Sequence, residues 1–196
     1  MTITEINKVC FVGSGVMGCY NSLLAALAGY QCVLYDVNAD TLAAATVRLR
    51  EIGGFLIGMG LCDQPQLDTA LSGIELSDQL TAATAGAELI SESIFERLES
   101  KREIHRQLDV LCPPSTLITT NTSGFLVSEI EDVLHHGQRF AALHSHLGAM
   151  LFDIVGGPRT SAHSNSVLRR YVASLGGTPL VLKKENSGYV LNTTLG

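Results

Sequence analysis

The chain has 196 residues, 46% of them hydrophobic and only 16% charged, which excludes a disordered segment and implies one sizeable core. Thirteen Lys and Arg against nineteen Asp and Glu give a formal charge of −6, so broad binding to nucleic acid or to an anionic membrane is not expected. Aromatic residues supply 6%, with no tryptophan, so the core is built from Ala, Leu, Val and Ile.

Lys8-Val-Cys-Phe-Val-Gly13 is a short apolar run ending in glycine, the pattern of a strand buried on both faces. Helical spacing of apolar residues follows from Val16 to Ala28, and Gly29 supplies the stop. Gln31-Cys-Val-Leu-Tyr-Asp36 reads as the next buried strand and 39–51 as a second helix. Four glycines within 53–60 predict a break in the helix and a loop there. Further strands are expected at Gly73–Ser77, Glu88–Ser91, 116–120 and 139–143, with a helix over 97–111. Strands alternating with helices define the class: α/β, a Rossmann-type doubly wound, mainly parallel sheet with helices on both faces.

The five cysteines (Cys10, Cys19, Cys32, Cys62, Cys112) are odd in number, scattered and without a CxxC pair. They read as structural thiols in a reducing compartment. A polar start without a secretory pattern, and apolar runs too short to span a bilayer, make the cytoplasm the expected location.

Between the first strand and the first helix stands Gly13-Ser-Gly15-Val16-Met17-Gly18. Gly13 permits the tight turn, Gly15 lets a pyrophosphate approach the backbone, and Gly18 allows close helix–strand packing. The helix N-terminus offers free N–H groups and a positive dipole end to the phosphates. Asp36, 18 residues beyond Gly18, stands where a carboxylate accepts hydrogen bonds from the adenine-ribose hydroxyls and repels a 2′-phosphate. The pattern predicts a dinucleotide site that takes NAD rather than NADP.

Three polar clusters lie in the second half. Thr119-Thr-Asn121-Thr-Ser123 follows a strand pattern, Phe140-Ala-Ala-Leu-His144-Ser-His146 ends another, and Asp153 sits inside an apolar strand. A buried carboxylate needs a partner, and His144 is the natural one. A histidine steadied by a carboxylate takes an alcohol proton at neutral pH while hydride passes to NAD. Ser123 is placed to hydrogen-bond the substrate oxygen, and His146 stands as an alternative base. No metal is expected.

These motifs, with Glu92-Ser-Ile-Phe-Glu96, Lys101, Leu143-His144 and Gly188-Tyr-Val-Leu-Asn192, resemble the N-terminal NAD-binding domain of the 3-hydroxyacyl-CoA dehydrogenase family from about Asn7 to the end. The resemblance implies that Gly13, Gly15, Val16, Met17, Gly18, Asp36, Glu96, Lys101, Asn121 and Ser123 bind the cofactor. It further implies that His144 is the catalytic base, that Ser123 touches cofactor and substrate, and that Asn192 completes the site. The glutamate that orients the family's histidine falls at Gly156 by simple counting. Aligned backwards from Pro158-Arg-Thr-Ser161 and Leu175-Gly-Gly-Thr-Pro179, it falls at Asp153 and the loop after His144 is about three residues shorter. The second register keeps a carboxylate at the site.

The expected reaction interconverts a 3-hydroxyacyl thioester, on coenzyme A or an acyl-carrier protein, and its 3-oxo form. The alternatives are a catalytically impaired NAD-binding module and a dehydrogenase of a small free hydroxy acid. By resemblance, residues 1–186 form the NAD-binding domain and 187–196 begin the helix leading to a C-terminal helical domain absent from this chain. With that domain, the implied assembly is a homodimer.

Overall fold

In the computed structural model, residues 6–186 are described. The chain order is β1 (Lys8–Val12), α1 (Val16–Leu27), β2 (Gln31–Tyr35), α2 (Ala39–Gly58), α3 (Gln64–Ser72), β3 (Ile74–Ser77), α4 (Leu80–Thr84), β4 (Leu89–Glu92), α5 (Leu98–Leu111) and β5 (Leu117–Thr120). It continues through α6 (Val127–Glu131), β6 (Phe140–Ser145), β7 (Leu151–Gly156), α7 (Ala162–Ser174) and β8 (Thr178–Leu182).

The eight strands form one sheet in the order β3-β2-β1-β4-β5-β6-β7-β8. All neighbouring pairs are parallel except β6 and β7, which form an antiparallel pair. The chain winds outward from β1 to β3 and returns to place β4 on the other side of β1. That reversal opens a crevice at the carboxyl ends of β1 and β4, where doubly wound sheets hold ligands.

Strand alternation sends side chains to two cores. Val9, Phe11, Leu34, Leu89, Ala141 and Leu143 face α1, α2, α3 and α7, through Leu23, Leu49, Leu67 and Leu168. Cys10, Val12, Val33, Ile90, Ile118 and Ala142 face α4, α5 and α6, through Ala83, Leu108, Val127 and Ile130. The sheet is therefore covered on both faces, as a mainly parallel sheet requires. Among the described residues no helix is long and apolar enough to cross a membrane. All five cysteines are free, and burial pushes the thiols of Cys10 and Cys32 up to about 12, which leaves them inert.

The glycine cluster does not break the second helix: α2 runs on through Gly53 and Gly54 to Gly58. Packing explains why. A Cβ at Gly53 would stand 2.4 Å from Cδ1 of Leu67, so the missing side chain is what lets α3 lie close against α2. Gly54 has nothing within 4 Å of such a Cβ. Gly54→Ala is expected to stabilise the chain by about 0.5–1 kcal/mol, since alanine restricts the unfolded chain and favours helix. Gly53→Ala should instead destabilise it by about 1–3 kcal/mol through overpacking. Urea midpoints of the two variants test this, and equal shifts of the same sign would contradict it.

Candidate active site

The turn after β1 has the conformation its glycines allow. Gly13 has a φ of 102°, and a Cβ on it would lie 2.7 Å from the carbonyl oxygen of Ser93. A Cβ on Gly18 would lie 1.7 Å from the carbonyl oxygen of Gly13, so α1 starts pressed against the turn. Gly15, the N-cap residue of α1, has open space on that side and no side-chain cap. The first N–H groups of α1 therefore face a gap the width of a backbone approach. Val16 is half exposed there and Met17 is partly buried behind it. Asp36 closes the turn from β2. Its Oδ2 accepts from the Ser14 N–H at 2.8 Å and the Ser14 hydroxyl at 3.0 Å, while Oδ1 accepts from the Asn38 N–H at 3.0 Å. Beside it, Val12, Gly13, Tyr35, Val37, Ile94 and Arg97 line a cavity of about 480 Å³ that has the size and largely apolar wall an adenosine needs.

One side chain on this turn carries no local sequence signal. Arg48, from α2, donates from Nη1 to the Ser14 carbonyl at 2.6 Å and braces the loop from the far side.

Beneath the cleft lies a buried polar network centred on Glu92 at the end of β4. Its Oε1 accepts from Lys101 Nζ and from the Ile94 N–H, each at 2.7 Å. Its Oε2 accepts from the Thr120 hydroxyl at 2.7 Å and lies 3.0 Å from His105 Nε2. Burial pushes the Glu92 carboxyl up, but the His105 bond and the Lys101 charge outweigh it and hold the group at about 2. Lys101 is only 1% exposed, and its ammonium is also 3.3 Å from Glu96 Oε2. It lies buried beneath the cleft, ion-paired with Glu92 and Glu96. Glu96 accepts in turn from the Thr122 hydroxyl and from the N–H groups of Ser123 at 3.0 Å and Gly124 at 2.9 Å. Glu96 thus shapes the loop that carries Ser123. His105 escaped the sequence reading, although it lies four residues after Lys101 on the same helix face.

At the carboxyl end of β6, His144 stands directly opposite Asp153 of β7 in the antiparallel register. His144 Nδ1 is 3.4 Å from Asp153 Oδ2, and His146 Nε2 is 3.2 Å from the same oxygen. The two rings meet edge to face with centroids 4.3 Å apart. Burial pushes the Asp153 carboxyl up, and the bonds from the two histidines overcome it, leaving the group below the usual carboxylate range. Gly156 pairs with Ala141, away from His144, so the carboxylate beside His144 is that of Asp153. Asn121, at the end of β5, accepts through Oδ1 from the Ser145 N–H at 2.8 Å and the Ser145 hydroxyl at 3.2 Å. It ties the Ser123 loop to the histidine strand. Asn192 lies outside the described residues.

The model of the family described as "3-hydroxyacyl-CoA dehydrogenase, NAD binding domain" matches residues 8–186. The chain belongs to this family. It is 31% identical over 192 residues to 3-hydroxyadipyl-CoA dehydrogenase of Escherichia coli, covering 96% of this chain and 40% of that protein. It is 26% identical over 195 residues to 5-formyl-3-hydroxy-2-methylpyridine 4-carboxylate 5-dehydrogenase of Mesorhizobium japonicum, covering 97% and 62%. Among solved structures, a diketoreductase superposes with a TM-score of 0.93 at 32% identity, covering 98% of this chain and 70% of that one. The 3-hydroxybutyryl-CoA dehydrogenase of Escherichia coli superposes with a TM-score of 0.88 at 29% identity, covering 95% and 40%. The chain therefore spans 62% and 40% of the length of these two curated relatives, less than two thirds of each. As in the family, the cofactor is NAD, and the open backbone at Gly15 and the cavity beside Asp36 are shaped to fit it.

Proposed function

We propose that this member of the 3-hydroxyacyl-CoA dehydrogenase family interconverts a 3-hydroxyacyl thioester and its 3-oxo form. The observation that carries the reading is the His144–Asp153 pair, with His144 at the carboxyl end of β6, two strands along the sheet from β4 and the dinucleotide crevice. When bound, NAD supplies the hydride acceptor. Gly13, Gly15, Val16, Met17 and Gly18 hold its pyrophosphate, and Asp36 meets the adenine ribose. Glu96 and Asn121 set the loop that lies against it. His144 takes the proton from the substrate hydroxyl through the ring nitrogen not committed to Asp153, and Asp153 stabilises the imidazolium that forms. Ser123 and Asn192 orient the substrate oxygen.

The acyl carrier is coenzyme A or a carrier protein, in a cytoplasmic setting. A helical domain following residues 1–186, reached through 187–196, would close the cleft and carry a homodimer interface. A second reading, a small free hydroxy acid as substrate, is favoured by the α2–α3 hairpin. This region has no lysine, Arg48 is already committed to Ser14, and the exposed Arg50 is the basic residue left to meet the phosphates of coenzyme A. A relative named for a pyridine carboxylate fits that reading.

NADH oxidation by the purified chain, measured in parallel with acetoacetyl-CoA, a carrier-protein analogue and free 3-oxo acids, tests the proposal. Oxidation dependent on a thioester is the expected result. Oxidation confined to free acids would establish the second reading. NADH binding without turnover on any substrate would show a catalytically impaired NAD-binding module and overturn both.

A further inference from the structure

The turn after His144 brings a second histidine, His146, onto Asp153, and the resulting cluster has the make-up of a metal centre. His144 and His146 are two residues apart along the end of β6, and Asp153 faces them from the antiparallel neighbour β7. One donor atom from each of the three lies within 4.8 Å of the others. Asp153 is fully buried, while the side chains of His144 and His146 are 10% and 16% exposed, so the cluster has a floor and an open mouth.

The distances separate two kinds of contact. A charge-assisted N–H···O⁻ bond closes to about 2.7–2.9 Å. Zinc bonds of about 2.0–2.2 Å in a tetrahedron set neighbouring ligand atoms about 3.3–3.6 Å apart. The nitrogen-to-Oδ2 separations are 3.4 Å and 3.2 Å, longer than good ionic hydrogen bonds and close to the spacing of ligands around one cation. A second observation points the same way. Asp153 Oδ1 is buried and has no hydrogen-bond partner among the described residues, although covalent geometry keeps it beside Oδ2. A carboxylate with one oxygen shared by two imidazoles and the other unsatisfied has capacity for a cation.

We propose that His144, His146 and Asp153 form a zinc site, with the fourth position open toward the cleft. Two imidazoles and a carboxylate suit a borderline cation such as Zn²⁺, and three protein ligands leave room for water or another small ligand. The site itself does not depend on the dehydrogenase reading. Its consequence does: zinc on His144 Nδ1 displaces Asp153 from the ring and its charge weakens the other ring nitrogen as a proton acceptor, so the cation inhibits hydride transfer.

The experiment uses the full chain, stripped of metal and titrated with ZnCl₂ by calorimetry, and separately with CoCl₂ while visible absorption is recorded. The expected result is one equivalent of zinc and the strong d–d absorption of a low-coordinate cobalt(II) ion without thiolate-to-cobalt charge transfer. His146→Asn should weaken zinc binding at least about tenfold. His135→Asn, at an exposed histidine elsewhere, should leave it unchanged. Failure of the wild-type chain to bind zinc would overturn the proposal. So would a thiolate charge-transfer band, or equal affinity in the wild type and His146→Asn. If His146→Asn does not fold, the wild-type cobalt spectrum still decides between this site and a cysteine site. Because every readout is binding, an inactive dehydrogenase with a zinc site and an active one without it are told apart.

Discussion

Replacing His144 by alanine is expected to lower turnover by about a hundredfold to ten-thousandfold, the usual contribution of a positioned general base. The variant should still bind NADH within about twofold of the wild type. The reason for this split is spatial. The dinucleotide crevice is built by β1, α1 and β2, whereas His144 stands on β6, tied to that half through Asn121 and Ser145. Both contacts of Asn121 use the backbone and hydroxyl of Ser145, not the imidazole, so the alanine leaves them in place. Asp153→Asn should lower turnover by a smaller factor, because the ring stays but loses the charge that stabilises its protonated form. Fluorescence titration of NADH alongside steady-state rates checks both variants. Full activity in His144→Ala would sink the assignment of the base. Equal loss of activity and NADH affinity would show that the residue supports the fold instead.

Much of the first half is legible in the sequence because its determinants are local. The apolar run at 8–12, the glycine turn and the helix from Val16 depend on residues next to one another, and the structure follows them closely. Where the reading failed, the cause lay at a distance. Gly53 looks like a helix breaker until Leu67 is seen filling the space where its side chain would be. The short helices α3 and α4 have little apolar periodicity to announce them. α3 begins with the Asp63–Gln66 capping box and a proline in its first turn, both readable as plain turn residues.

At the site, the β6–β7 register places the Asp153 carboxylate opposite His144, a pairing the flanking motifs Pro158-Arg-Thr-Ser161 and Leu175-Gly-Gly-Thr-Pro179 make legible from the sequence. The convergence of His146 on the same oxygen was not readable. It depends on how a loop turns, and no periodicity records that. The inward course of Lys101 was equally unreadable: it is drawn to Glu92, whose own burial depends on Thr120 and His105 from two other elements.

Glu92→Gln is the substitution expected to cost the most stability. The carboxylate is fully buried and collects four contacts, from Ile94, Lys101, Thr120 and His105. Glutamine preserves the shape but removes the charge and turns one oxygen into an NH₂ group that faces hydrogen-bond donors. Among the described residues Lys101 would keep only Glu96, at 3.3 Å, as an ionic partner. Breaking a buried pair on one side costs about 3–5 kcal/mol, a large share of the roughly 5–15 kcal/mol that holds a domain folded. The pH dependence follows the same group. Its folded carboxyl, held at about 2, lies below the ordinary 4.5. The folded state therefore binds the proton less readily than the unfolded chain, and the stabilisation is complete above about pH 4.5 and fades as the pH falls toward 2. That difference corresponds to about 3 kcal/mol. Urea unfolding between pH 7 and pH 3 should show wild-type stability falling more steeply with acid than that of Glu92→Gln, so that the two curves converge. A variant within about 1 kcal/mol of wild type at pH 7 would show that water or the neighbouring side chains replace the carboxylate. If instead the network acts as described, the loss will also reach the cofactor. Ser93, the residue after Glu92, has its carbonyl packed where a Gly13 side chain would stand, so the glycine turn cannot keep its shape once the end of β4 loosens.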